Sequence, residues 1–294
     1  MGGGSWTTSC YTAYASSKGL DTTCVNGVTT LDLAADTTAQ DLFKARRIAK
    51  ELNPKGVVRQ CCDTAEHPET VPVILALDVT GSMGGAAVEV AKKLNEVMTN
   101  LYGNVKDVEF CVMGIGDLAY DEAPVQMSQF ESDIRIAEHL DKVYFEGGGG
   151  GNNFESYTAA WYFGLKHADL DCWKRGKKGI IITMGDEPLN PYLPRRPLEA
   201  VSDDKLQNDV ETSALYKEVT EKFDVYHLAV SDPETSFRYY KDRIIESYGK
   251  YFDKDHFKVV SLDGISNAIS EIIINAQGEM TVPTTVDNGE GISW

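Results

Sequence analysis

Three oxygen-bearing side chains stand at alternate positions directly after an apolar run. The run is Val71-Pro-Val-Ile-Leu-Ala-Leu77, and the side chains are those of Asp78, Thr80 and Ser82. One carboxylate and two hydroxyls suit a hard divalent cation such as Mg²⁺, which prefers oxygen ligands in near-octahedral geometry. The spacing therefore predicts a metal-binding loop at the end of a buried strand.

Two other loops carry residues that suit the same ion. Asp186 and Glu187 follow a second apolar run, and the five glycines Gly147–Gly151 come shortly before Glu155. Ligands in an open parallel sheet collect beyond the carboxyl ends of the strands, where such loops converge. Glycine lets another loop approach closely, although a flexible linker is the alternative interpretation of the run. A carboxylate at Glu155 is also favoured simply by the start of the helix that follows.

From about residue 71 the chain alternates short apolar runs with amphipathic segments, which predicts a parallel sheet covered by helices on both faces. The predicted strands are Val71–Leu77, Val108–Gly116, Gly179–Thr183, Asp224–Val230 and Phe257–Ser261. Apolar spacings of three and four residues predict helices. They are placed at Ala87–Leu101, Tyr157–Ala168, Phe237–Tyr248 and Ile265–Ala276, and with a less regular pattern at Lys205–Phe223. We interpret their apolar stripes as core surfaces.

The flanking segments differ in composition from this alternating region. Residues 1–69 are interpreted as an N-terminal extension, with a flexible or loosely attached Gly/Ser/Thr-rich arm up to about Asp36. A predicted helix then begins at the capping-box sequence Thr38-Ala-Gln-Asp41 and continues to Leu52, before Asn53-Pro54. Residues 70–277 form the predicted domain. Residues 278–294 are acidic and turn-rich, and we expect them to be a C-terminal tail.

The three loops together resemble the metal-ion-dependent adhesion site of the von Willebrand factor type A (VWA) domain family. The resemblance is carried by Asp78-Val-Thr-Gly-Ser82, by Asn-Phe-Glu155-Ser after the glycines, and by Met-Gly-Asp186, and it covers roughly residues 70–277. It implies a three-layer, Rossmann-like α/β fold with a mostly parallel central sheet flanked by helices. It also implies one Mg²⁺ at the top of the sheet, with Mn²⁺ or Ca²⁺ as alternatives.

Position by position, the resemblance implies a set of five metal ligands and no catalytic residue. The ligands are Asp78, Thr80, Ser82, Glu155 and Asp186. Most members of the family offer a threonine where Glu155 stands, and the glutamate is similar to the integrin beta-subunit version of the site. Thr158 is the alternative ligand. Asp117 and Glu187 are expected to lie at the rim without binding the ion directly.

The charge balance limits the classes of partner. A formal net charge of −17 over 294 residues disfavours nucleic acid and anionic membrane surfaces. No apolar stretch reaches the roughly 20 residues needed to cross a bilayer, so membrane insertion is not expected. The first residues lack the pattern of a secretion signal, and we expect a cytoplasmic protein.

The function that the resemblance implies is metal-dependent binding of a protein partner, in which a carboxylate of the partner fills an open position on the ion. The chain is therefore not expected to be an enzyme. One alternative is a structural or assembly component, in a complex or oligomer, whose metal is only stabilising. The other is a Mg²⁺-dependent phosphoryl-transfer enzyme that uses Asp78, a chemistry that would also need a positioned lysine.

Overall fold

The computed structural model describes residues 4–148 and 154–277, and these contain the following elements. The strands are β1 (Asp21–Val25), β2 (Val28–Asp32), β3 (Arg59–Cys61), β4 (Val71–Asp78), β5 (Val108–Ile115), β6 (Val125–Met127), β7 (Ala168–Leu170), β8 (Gly179–Gly185), β9 (Tyr192–Leu193), β10 (Val210–Glu211), β11 (Phe223–Val230) and β12 (Phe257–Val260). The helices are α1 (Thr8–Ser17), α2 (Ala39–Leu42), α3 (Gly84–Asn104), α4 (Arg135–Asp141), α5 (Thr158–Lys166), α6 (Arg195–Ser202), α7 (Thr212–Val219), α8 (Phe237–Tyr248) and α9 (Ile265–Ala276).

A six-stranded sheet organises the fold, with strand order β12-β11-β8-β4-β5-β6. Neighbouring strands are parallel except for the antiparallel pair β5 and β6. Strand β4 lies near the middle, and its loop therefore emerges between the loops of β5 and β8. The architecture is mixed α/β and mostly parallel, as the alternating sequence pattern predicted.

Alternate residues of β4 enter two separate cores, because successive side chains of a strand point to opposite faces. Val73, Leu75 and Leu77 pack with α3 and α9 on one face. Ile74 and Ala76 pack with α5, α7 and α8 on the other. Burial on both faces explains why the strand is a continuous apolar run rather than an alternating one.

The five predicted strands are all present, with ends shifted by no more than two residues. Helices α3, α5, α8 and α9 match the predicted amphipathic segments. The helix predicted over Lys205–Phe223 is wrong in extent, since α7 covers only Thr212–Val219. The apolar stripe predicted on α8 included Ile245 as a core residue. This prediction is wrong, because Ile245 is 42% exposed. None of the described helices is both long and apolar enough to cross a membrane.

The start of the chain is packed against the sheet domain, so the prediction of a flexible arm is wrong for residues 4–36. Trp6 Nε1 donates to Asn95 Oδ1 at 2.9 Å, and the Tyr14 hydroxyl donates to the carbonyl of Ala137 at 3.2 Å. Tyr11 and Leu31 are buried in the same core as α3. The low periodicity of this segment concealed contacts that are all distant in sequence.

The capping box at Thr38 is present, with the Thr38 amide donating to Asp41 Oδ2 at 2.9 Å. The helix that it begins is short, because α2 ends at Leu42 and only a 3₁₀ turn at Lys50–Leu52 follows. A longer predicted helix here is therefore wrong. The predicted C-terminal tail and most of the five-glycine run lie outside the described residues.

Candidate metal centre

Asp78 is the last residue of β4 and lies at the carboxyl edge of the sheet, where it is 1% exposed. Its Oδ1 atom accepts hydrogen bonds from the Thr80 amide, at 2.8 Å, and from the Thr80 hydroxyl. These two bonds turn the chain sharply after the strand. The first two predicted ligands are therefore in direct contact.

The described part of the glycine run packs against this turn. The Gly81 amide donates to the carbonyl of Gly148 at 2.9 Å, and the Gly147 amide donates to the carbonyl of Val79 at 3.3 Å. A Cβ atom at Gly81 would lie 2.9 Å from the carbonyl oxygen of Gly147, so a side chain there would force the two loops apart. The glycines thus permit the close approach that the sequence predicted.

Asp186 brings the loop after β8 to the same place. Its carboxylate accepts a hydrogen bond from the Ser236 amide at 2.6 Å, and the Ser82 side chain lies close enough to lower its pKa. Ser82 and Asp186 are both predicted ligands, and they come from loops more than 100 positions apart in the sequence. The structure therefore brings the first and third loops close together.

Tyr157 connects the same two loops and was not predicted as part of the site. Its hydroxyl oxygen accepts from the amides of Asp186, at 3.2 Å, and Glu187, at 3.3 Å. The hydroxyl proton is donated to Asp78 Oδ2 at 2.7 Å. A Cβ atom on Gly185 would fall 2.1 Å from this hydroxyl, so the glycine makes room for it. Only the apolar part of Tyr157 was visible to sequence reasoning, which assigned it to a helix stripe.

Glu155 lies between the loops that follow β5 and β8. Residue 155 forms an isolated parallel bridge with Leu189, and the amide of Ser156 donates to the carbonyl of Gly116 at 3.2 Å. Its side chain is 5% exposed. Burial and the nearby carboxylate of Asp78 raise the pKa of Glu155 to about 11.

Acidic side chains gather at this edge, and within the described residues no basic side chain forms an ion pair with Asp78, Glu155 or Asp186. Burial and then Asp186 raise the pKa of Asp78 to about 7, and burial raises that of Asp186. Within the described residues, Asp186 Oδ1 and Glu155 Oε2 are buried and have no hydrogen-bond partner. Buried acceptors left in this way are costly. Carboxylate oxygens without a protein partner are chemically suited to a hard cation such as Mg²⁺.

Carboxylates alone do not complete a metal cluster. No group of three or more His, Cys, Asp or Glu side chains in the described part of the chain is arranged to hold an ion. An ion here would need hydroxyl oxygens as well, and the sequence predicted Thr80 and Ser82 for that role. The mixed ligand set stays a prediction.

The residues expected at the rim are close to the centre, and the alternative ligand has another partner. Asp117 is 3% exposed and its Oδ1 accepts from the Ala119 amide at 2.7 Å. Burial and then Asp186 raise the pKa of Glu187 to about 7. The Thr158 hydroxyl accepts from Asn190 Nδ2 at 2.6 Å, which engages it away from the carboxylates.

Comparisons with known proteins give only distant likenesses. No family model matches the sequence, and no curated protein matches it. The pilus adhesin SpaC of Lactobacillus rhamnosus GG, in its open conformation, is 13% identical with a TM-score of 0.44, and the match covers 75% of this chain and 31% of the adhesin chain. A second structure of that adhesin gives 14% identity, a TM-score of 0.43 and coverages of 75% and 32%.

The vWF domain of the type V pili tip protein Mfa5 from Porphyromonas gingivalis is 11% identical with a TM-score of 0.40, and the match covers 71% of this chain and 95% of that domain. The chain thus spans about a third of the SpaC chains and nearly all of the Mfa5 domain. No residue role is transferred from these proteins. The strand order and the two helical layers are in themselves compatible with a VWA-like or Rossmann-like fold.

Proposed function

We propose that this chain is a metal-dependent protein-binding module of the VWA type. Asp78, Thr80, Ser82, Glu155 and Asp186 would hold one Mg²⁺, with Mn²⁺ or Ca²⁺ as alternatives. The ion would supply a positive charge at the protein surface for an acidic side chain of a partner protein. Binding rather than catalysis is the proposed activity, and the expected cytoplasmic location remains a proposal.

One observation supports this proposal: the buried carboxylates of Glu155 and Asp186 both lie close enough to Asp78 to interact with it electrostatically, and no basic side chain among the described residues forms an ion pair with any of the three. Asp78 Oδ1 is engaged by Thr80, and Asp78 Oδ2 by Tyr157. Asp186 and Glu155 each retain an oxygen with no partner in the same described region. Such an arrangement is unfavourable by itself and becomes favourable when a cation binds, which couples the ion to the conformation of the loops.

The experiment is a calorimetric Mg²⁺ titration of the full chain after treatment with a chelator. We expect one site in the wild type and at least a hundredfold weaker binding in Asp186→Ala. Asp224→Ala is the matched control, because Asp224 lies on β11 and pairs with Lys178 at 3.2 Å away from the loops. An Asp186→Ala variant that folds and binds Mg²⁺ like the wild type would refute the proposal.

A second experiment addresses the partner. The chain is immobilised and exposed to lysate in Mg²⁺ or in chelator, and retained proteins are identified. We expect retention that needs the ion and is lost in Asp186→Ala. Retention that is equal under both conditions would contradict a metal-bridged contact and would favour the alternative in which the metal only stabilises an assembly component.

The phosphoryl-transfer alternative is less well supported by the contacts of Asp78. Among the described residues, its hydrogen bonds come from Thr80 and Tyr157, and no lysine is among these donors. That chemistry needs a cation to stabilise the phosphoryl group. Incubation with aryl phosphates and Mg²⁺ should therefore give no turnover. Turnover that disappears in Asp78→Asn would favour the enzyme.

A further inference from the structure

A groove of about 220 Å³ opens beside the candidate metal centre, between the loop after β8 and helix α8. One wall carries Phe154, Pro188, Leu189 and Pro191. The other wall is the exposed side of α8, with Arg243, Glu246, Ser247 and Lys250. One wall is thus apolar and contains two prolines, whereas the other wall is charged.

Two residues that line the groove are neighbours in sequence of candidate ligands. Phe154 immediately precedes Glu155, and Pro188 stands two positions after Asp186. Hydrogen bonds connect the two walls. The Leu189 amide donates to Ser247 Oγ at 3.0 Å, and Ser247 Oγ donates to the carbonyl of Ile244 at 2.9 Å. A chain that placed an acid on the ion would therefore have its neighbouring residues at the mouth of this groove.

Arg243 is the distinctive group in the charged wall. Its guanidinium lies 5.7 Å from the centre of the Phe154 ring and 5.4 Å from the centre of the Tyr240 ring. Stacking on two rings holds the planar group in place while its edge stays available for hydrogen bonds, and a guanidinium recognises a carboxylate through two parallel bonds. In the described residues Arg243 forms no ion pair, although it is near enough to Glu187 to lower the pKa of that carboxyl, whereas Glu246 faces Lys250 at 3.9 Å.

The two basic residues of this wall contrast with the acidic composition of the chain as a whole. The chain has 45 acidic and 28 basic residues, yet α8 places Arg243 and the following turn places Lys250 along one groove. A volume of about 220 Å³ is too small for a folded element and suits one or two residues of an extended chain. Positive charge next to a cation site favours a partner that is itself acidic.

We propose that this groove receives the residues next to the metal-bound carboxylate of an extended, acidic segment of a partner protein, with a second carboxylate of that segment on Arg243. The inference rests on the proposed function, because it takes the ion as the first anchor. It adds the chemistry of the partner: two acids close together in an exposed strand or loop, rather than a single acid on any surface.

The test uses two synthetic peptides, since the partner is unidentified. Acetyl-Gly-Asp-Gly-Glu-Gly-amide presents two acids, and acetyl-Gly-Asp-Gly-Gln-Gly-amide presents one. Each is titrated into the ¹⁵N-labelled, Mg²⁺-saturated full chain, and dissociation constants are taken from amide shifts. We expect the two-acid peptide to bind about fivefold more tightly, with shifts at Leu189 and Ser247.

The variants are Arg243→Glu and, as the matched control, Lys241→Glu. Both lie on the exposed side of α8 and change the charge equally, but Lys241 does not line the groove. Arg243→Glu should remove the difference between the peptides, and Lys241→Glu should keep it. A preserved difference in Arg243→Glu, or equal binding of both peptides to the wild type, would overturn the groove inference alone. Binding that persists in chelator, or its complete absence with Mg²⁺, would instead contradict the proposed function.

Discussion

The two edges of the central sheet bury carboxylates in opposite ways. At the amino edge, Asp63 forms an ion pair with Arg175 and also accepts from the Thr70 amide and hydroxyl at 3.0 and 2.8 Å. Asp107 lies 3.0 Å from His67 there. At the carboxyl edge, the described residues place hydroxyls and amides around Asp78 and Asp186, but no basic side chain hydrogen-bonds to either.

This contrast separates structural acids from functional ones. An acid with its own cation completes the folded state, and its removal leaves a buried positive charge. A group of acids without one raises the free energy of the fold until a cation is added from solution. Sequence composition cannot distinguish the two, since both edges are simply acidic. The four predictions below test the contrast in order of decreasing expected effect.

Asp63→Asn should lower the free energy of unfolding by about 2 kcal/mol, because Arg175, which is 26% exposed, would lose its charged hydrogen-bond partner. Chemical denaturation in chelator measures this. Mg²⁺ affinity should stay unchanged, since the residue lies at the opposite edge. A loss of Mg²⁺ binding in a folded Asp63→Asn protein would break the proposed separation of the two edges.

A buried histidine that packs against Tyr157 should make the stability of the protein depend on pH. His227 is fully buried with Nδ1 2.8 Å from the Thr183 hydroxyl, and burial lowers its pKa to about 3. Because the unfolded chain takes up this proton near pH 6.5, the stability that His227 contributes is present above that pH and is lost as the pH falls toward 3. Between pH 7 and 5 the loss should be about 2 kcal/mol.

His227→Gln provides the comparison for this pH effect. The drop in unfolding free energy from pH 7 to pH 5 should be smaller in the variant than in the wild type by roughly 2 kcal/mol, measured in saturating Mg²⁺. Equal pH profiles would mean that the imidazole takes up its proton without unfolding, against its burial between Tyr157 and Tyr248.

Glu155→Gln should change the free energy of unfolding in the direction opposite to that of Asp63→Asn. With metal removed, the amide takes the place of a buried acid that lies near Asp78 without a cation, so the free energy of unfolding should rise by about 1.5 kcal/mol. The same variant should bind Mg²⁺ more weakly. A chelated variant that is less stable than the wild type would show that Glu155 has a stabilising partner in the folded state.

Tyr157→Phe should weaken Mg²⁺ binding about tenfold, about 1.4 kcal/mol, because the hydroxyl that orients Asp78 and the Asp186 loop is lost. Tyr248→Phe is the matched control: that ring stacks on the same His227 at 4.0 Å, and its buried hydroxyl has no partner among the described residues. Equal Mg²⁺ affinities in the two variants would show that the Tyr157 hydroxyl does not position the metal ligands.

Apolar patterning was sufficient to predict five strands of the central sheet, but not the antiparallel strand β6 (Val125–Met127). Strands such as β4 and β8 are buried on both faces, so they appear in the sequence as continuous apolar runs. The ends of those strands then placed Asp78 and Asp186 at one edge, and the hydrogen bonds of Tyr157 join their loops. This part of the candidate site follows from local pattern and parallel topology.

The contacts that sequence reasoning missed are those made by polar atoms on apolar side chains. Tyr157 was assigned to the core by its spacing, yet its hydroxyl connects two loops. The N-terminal segment was predicted to be flexible because its few large side chains show no period. Its anchors, such as Trp6 on Asn95, bridge 89 positions, and no local rule encodes a contact of that kind.

The N-terminal extension packs into the core of the sheet domain, so the two belong to one folding unit. Trp6, Tyr11, Leu31 and Phe43 are each at most 7% exposed, and they share a core with α3. A fragment that begins at residue 70 would leave this side of α3 in water, at a cost of roughly 2 kcal/mol for each large side chain that is removed from it. A fragment truncated at residue 70 should therefore expose apolar surface and aggregate. The shortest fragment that stays folded and monomeric would have to retain Trp6.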